Sequence, residues 1–145
     1  MQTFAPSPDV YESANALDNL RLGKQIVECR QIGLAAVHGG GWRNHPAVEM
    51  WRYSLGGLIV YATAMHLEWV ERRGKDHAAF LNMINDHPFV DSANMPWWWG
   101  REDVHASHRG SLWRKDPVWY PSSWEQDSIA HPQYVWPTRD LEVSS

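Results

Sequence analysis

One apolar stripe, closed off by three glycines, constrains this chain more than any other feature. Leu22, Ile26, Cys29, Gly33 and Val37 recur at three- and four-residue steps, which is one face of a helix running from about Asp18 to His38. Gly39-Gly40-Gly41 stops it. Ahead of it, Pro6 and Pro8 keep Met1–Pro8 extended, and Asp9 or Ser13 can cap a helical turn beyond them. A second helix is signalled from Asn44, as cap, and His45-Pro46 in the first turn, through to Trp69 and Val70. Arg72, Arg73 and Gly74 end it as the helix dipole and a left-handed cap require. Gly56-Gly57 offers a kink or a close crossing with the first helix. Shorter helices are expected over Asp76–Asn85 and Glu102–Lys115, and Pro117, Pro121, Pro132 and Pro137 leave the rest irregular. No alternating run is long enough for a strand. The class is all-α: a compact helical bundle in one domain, residues 1–145, with a long aromatic-rich C-terminal tail.

The chain's 145 residues are enough to bury a core without staples. The lone Cys29 excludes an internal disulfide and a thiolate zinc cluster, and lies on the apolar stripe, where core packing is its expected use. That agrees with a reducing, cytoplasmic setting. The apolar stretch Leu55–Leu67 is too short to span a bilayer, so no membrane partner is expected. Net charge is −4 with neutral histidines, which disfavours indiscriminate duplex binding but allows a local basic patch. Ten tryptophans stand against three phenylalanines. Trp97, Trp98 and Trp99 cannot all point inward from one element, so at least one should line a groove or pack under a loop.

Three constellations carry chemistry-bearing side chains. Arg21, Lys24, Gln25 and Glu28 share one stripe of the first long helix, away from its apolar face. A carboxylate beside two cations can stabilise charge or act as a base, and the cations can hold phosphate. The same spacing also describes a solvated helix face with intrahelical salt bridges. Arg43, Asn44 and His45 precede a helix, where free N–H groups favour an anion; Asn44 as a plain cap and His45 as packing fit equally. His105, His108 and Arg109, continuing to Arg114, suit a phosphate or sugar clamp or, as plainly, a polar interface between helices. A zinc site from His105, His108 and His45 lacks a His-Glu-x-x-His pattern, and neither a metal nor another cofactor is expected.

Three segments together resemble the endonuclease V-type pyrimidine-dimer DNA glycosylases of bacteriophages and bacteria. They are Leu17-Asp18-Asn19-Leu20-Arg21-Leu22 leading to Glu28, His45 through Met50-Trp51 and Tyr53 to Glu68, Arg73 and Gly74, and His105–His108 followed by Leu112, Arg114-Lys115, Pro117 and Trp119-Tyr120. The order is preserved over about residues 9–120. With Met1-Gln2-Thr3-Phe4, Arg21-Leu22-Gly23-Lys24-Gln25 and Asn44-His45-Pro46-Ala47-Val48, the chain is similar to a divergent branch in actinobacterial and phage genomes.

The resemblance implies an all-helical enzyme that attacks the anomeric carbon of a deoxynucleotide with an amine, forms an imine and can break the strand by elimination. Glu28 stands where the family has its essential glutamate, Arg21 where it has a polar substrate contact, and Arg109 or Arg114 would hold phosphate. The family's nucleophile is the α-amine of a small residue exposed by removal of the initiator methionine. Gln2 is bulky, so Met1 should stay and its own amine would serve. Lys24 is the other amine, and needs burial or a neighbouring cation such as Arg21 to attack at neutral pH. Activation of water by Glu28 is a third route. The expected function is a DNA N-glycosylase, with or without AP-lyase activity, on damaged or modified pyrimidines. The alternatives are an enzyme on a free nucleotide or small N-glycoside, and a non-catalytic module using its tryptophans as a partner surface.

Overall fold

The computed structural model describes residues 1–86 and 92–137. Seven helices are present among them: α1 (Val10–Ala16), α2 (Asn19–His38), α3 (Pro46–Trp51), α4 (Leu55–Arg73), α5 (Ala78–Asp86), α6 (Glu102–Lys115) and α7 (Trp124–Ala130). No strand occurs among the described residues, and the fold is a compact all-α one. None of these helices is long and apolar enough to cross a membrane.

Local chemistry accounts for most of the boundaries. The Asp9 carboxylate accepts from the Tyr11 and Glu12 N–H groups and starts α1; Asp18 accepts from Arg21 N and starts α2. Gly39, at φ 79°, ends α2, and Gly74, in the left-handed region at φ 69°, ends α4 behind Arg72 and Arg73.

Two expectations are corrected. The second helix is broken into α3 and α4 across residues 52–54, and its cap is His45, not Asn44. The His45 Nδ1 accepts from the Ala47 N–H, while Asn44 is exposed. Periodicity could not see the break, because Trp51, Leu55 and Leu58 keep helical steps across it. The tail, in turn, is not irregular throughout: α7 packs on α6. It does so closely at Gly110, where a Cβ would lie 2.7 Å from the Ser128 backbone.

α2 is the central element and touches α3, α4 and α5. Its close crossing with α4 uses Gly23, where a Cβ would stand 2.6 Å from the Trp69 ring; Gly57 instead lets the Asn94–Pro96 backbone approach. Leu22, Ile26, Cys29 and Ile32 are buried with Trp51, Leu58, Tyr61 and Met65, and the polar stripe of α2 lies alongside this face, so that Gln25 and Glu28 are buried too. Trp98 is fully buried, Trp99 lies packed against the core, and Trp97 remains 41 % exposed in a second cavity, so the tryptophan run divides as its sequence demanded.

Candidate active site

Residues 2–6 are buried, the chain bends over residues 6–9 where an extended course was expected, and side chains, not a neighbouring strand, satisfy the backbone. The Phe4 N–H donates to Gln25 Oε1 at 2.7 Å, and the Phe4 carbonyl accepts from the Tyr61 hydroxyl at 2.5 Å. The Ala5 N–H donates to His108 Nδ1 at 2.9 Å, while His105 Nδ1 contacts the Ala5 carbonyl at 2.7 Å. The Pro6 carbonyl accepts from Arg109, and the Pro8 carbonyl from the Trp99 indole N–H. Thr3 accepts from the Trp51 indole. Buried backbone groups need partners, and here helices α2, α4 and α6 supply them. The register of this segment is thereby fixed, and so is the place of Met1 at its end.

Met1 lines a cavity of about 260 Å³ with Arg21, Lys24, Gln25 and Glu28. The structure therefore brings together five of the residues singled out from sequence. Gln2, Phe4, Leu20, Lys115 and Tyr134 complete the wall. Glu28 is only 9 % exposed, and its Oε2 has no hydrogen-bond partner among the described residues. An unsatisfied buried carboxylate oxygen is costly unless a ligand or a proton completes it. Gln2 Nε2 is likewise buried without an acceptor.

Arg21 is held by Asp18 at 3.1 Å. Burial works to raise the Asp18 carboxyl, but the Tyr120 hydroxyl and Arg21 outweigh it and keep the group below its usual range. Gln25 gains a task that spacing had not supplied: its Oε1 accepts from both Phe4 N–H and Tyr61 hydroxyl. His45 stands within electrostatic reach of the same site. Burial and the positive amino terminus lower its pKa, and Glu28 opposes them. Its ring packs between Trp42 and Trp136. Arg43 is exposed and does not line the cavity.

The third constellation is placed differently. His105 accepts from the Gly100 N–H at Nε2, so its Nδ1 carries the proton given to Ala5. His108 is fully buried; burial first, and His105 second, push its pKa down to about 3. Arg109 pairs with Asp127 at 2.9 Å and with Glu102. Burial works to lower the Arg109 pKa, but both partners outweigh it and raise the group above its usual value. Arg114 donates to Ser128 Oγ at 2.9 Å and to the His131 carbonyl at 3.0 Å. His105, His108 and Arg109 are bonded within the protein, although the His108 Nε2 has no partner among the described residues; exposed Arg114 is bonded to the tail, and none of the four lines the cavity, which matches the alternative of a polar interface between helices. Lys115, one residue on, faces the cavity instead. A signal for it existed: it stands seven residues after His108, two turns along the same stripe.

No group of three His, Cys, Asp or Glu side chains able to hold a metal occurs among the described residues. Cys29 is buried, and burial followed by Glu28 raises its thiol well above the usual range, so it is core.

One cavity of this all-α protein is thus lined by Met1, a nearly buried carboxylate and several cations. The model of the family described as pyrimidine dimer DNA glycosylase matches residues 1–82, more than half of the chain, and the chain belongs to that family. Membership implies a DNA glycosylase with DNA as its substrate. No curated protein and no solved structure matches the chain.

Proposed function

We propose that residues 1–145 act as one unit that excises a damaged or modified pyrimidine from DNA, with the Met1 α-amine as nucleophile and Glu28 as its essential carboxylate. The observation that carries this reading is the meeting of Met1 and an unsatisfied, nearly buried Glu28 in one cavity. The amine nitrogen bonds to C1′ as the glycosidic bond breaks, and the base departs with the bonding pair. Loss of a proton from nitrogen and opening of the C1′–O4′ bond leave an imine. Glu28 faces the positive charge that develops on the sugar and accepts or returns protons as the ring opens. Removal of a C2′ proton then expels the 3′ phosphate, which is the AP-lyase step. Lys24 and Lys115, with Arg21 beside Asp18, hold the strand's anionic groups around the cavity, and Arg43, Asn44 and His45, which do not line it, meet the strand outside. His105, His108 and Arg109 serve by holding residues 5 and 6, and so the amine, in place; Arg114 ties α6 to the tail.

Lys24 is the rival amine because it lines the same cavity. Incubation with abasic and dimer-containing DNA in borohydride, followed by digestion and mass spectrometry, separates the two. The adduct is expected on the peptide beginning at Met1. An adduct on Lys24 would move the nucleophile to α2, and excision without any adduct would leave Glu28-activated water as the chemistry.

A further inference from the structure

Beside the candidate active site, the outer faces of α2 and α4 form a groove of about 320 Å³. Leu20, Val27 and Trp69 make its apolar surface, and Lys24 and Arg73 border it. Leu20 is 74 % and Val27 38 % exposed, which is unusual for apolar side chains projecting from the central helix. The groove adjoins the cavity, with Leu20 and Lys24 lining both.

The protein's cations divide in a telling way. Arg21, Arg30, Arg52, Arg72, Arg101 and Arg109 are spent on carboxylates of the chain itself. Lys24, Arg43, Lys75 and Lys115 have no side-chain hydrogen bond or ion pair among the described residues, and Arg73 has only the Trp69 ring beneath it, at 5.0 Å. Of these, in a chain of net charge −4, Lys24, Lys115 and Arg73 border the cavity and the groove. The Trp69 indole N–H is also buried without an acceptor.

Phosphates alone would be served by cations on a polar surface, as along a duplex. Apolar surface flanked by cations is what an unstacked base and its phosphate require. We propose that this groove holds an unpaired nucleotide flanking the target, with its base against Leu20 and Val27 and its phosphate between Lys24 and Arg73. The protein then takes its substrate strand single-stranded or locally opened, which agrees with its acidic balance. This inference rests on the glycosylase reading for the neighbouring cavity, but its test reads binding and not excision.

The test is fluorescence anisotropy with one dye-labelled, lesion-free strand offered alone, inside an unpaired bubble and fully paired. The single strand and bubble are expected to bind about tenfold or more tightly than the paired form, as stacking of a freed base would give. Arg73→Ala should reduce the slope of log affinity against log salt by about 0.7, the value for one phosphate of a single strand. Leu20→Ser should weaken single-strand binding several-fold with the slope unchanged, and Arg30→Ala, away from the groove, should change neither. Paired DNA binding as tightly as the single strand, or an unchanged slope in Arg73→Ala, would overturn the proposal. So would concentration-dependent self-association removed by Leu20→Ser, which would make a second copy the occupant. Imine trapping that succeeds while the groove variants bind like wild type sinks this inference alone; single-strand binding that obeys these rules without any excision sinks only the glycosylase reading.

Discussion

Helices α2 and α6 each carry a polar run at three- and four-residue steps beside the N-terminal segment, yet they use it in opposite ways. α2 turns Arg21, Lys24 and Glu28 toward a cavity, and leaves Glu28 Oε2 without a partner. α6 spends His105, His108 and Arg109 on the backbone of residues 5 and 6. The difference lies in what each run meets. Gln25 and Tyr61 already satisfy Phe4 on the α2 side, so Lys24 and the Glu28 Oε2 stay free, while Arg21 is held at the rim of the stripe by Asp18. On the α6 side the N-terminal segment arrives with unpaired N–H and C=O groups, and the histidines are the nearest donors and acceptors. Free groups can serve a substrate, and satisfied groups can only hold the scaffold that presents one.

The largest expected effect that would break this contrast comes from Glu28→Gln. It should lower the single-turnover excision rate by about a thousandfold, within the range of a positioned acid–base group, and leave the thermal midpoint within a few degrees of wild type. A variant that lost stability and kept its rate would move Glu28 into the structural group.

His108→Ala probes the other side. Removing the acceptor strands the buried Ala5 N–H and leaves a cavity, at a cost of about 3 kcal/mol in urea denaturation. The same residue sets a pH dependence. Its folded pKa of about 3 lies below the ordinary 6.5, so the unfolded chain takes up a proton that the folded chain refuses. Stability should therefore fall as pH drops from about 6.5 toward 3. His105, lowered chiefly by burial, adds in the same direction. The urea midpoint should be lower at pH 5 than at pH 7.5, and the drop should be smaller in His108→Ala. Equal drops in both proteins would remove His108 from this account.

The smallest and sharpest comparison pairs neighbours on α6. Lys115→Ala should weaken DNA binding several-fold while changing stability by less than about 0.5 kcal/mol. Arg114→Ala should do the reverse, costing about 1 kcal/mol through the lost Ser128 and His131 bonds and leaving binding unchanged. Exchange of those outcomes would restore Arg114 as a phosphate ligand.

Much of the fold was legible because it depends on short-range chemistry. The α2 stripe, its Asp18–His38 limits, the α6 span Glu102–Lys115 and the Gly74 cap come from apolar spacing, dipole and left-handed glycine. The break at residues 52–54 and helix α7 were not legible. The first leaves periodicity intact, and the second is a seven-residue helix that owes its place to packing on Gly110. In the candidate site, Arg21, Lys24, Gln25 and Glu28 were readable as one face. Lys115 was readable only as a position on the His108 stripe, and Tyr134 not at all, since their nearness to the α2 face is made by α6 and the tail.

By itself, then, the sequence determined the helical class, the course of α2 and the fact that one of its faces is polar, because each of these depends on residues within a turn or two of each other. Tertiary structure alone decided which polar groups are free. That depends on where the N-terminal residues 2–8 run, and a backbone N–H or carbonyl claims whichever buried side chain lies beside it, however distant in the chain. The histidines of α6 were claimed in this way, and Glu28 was not.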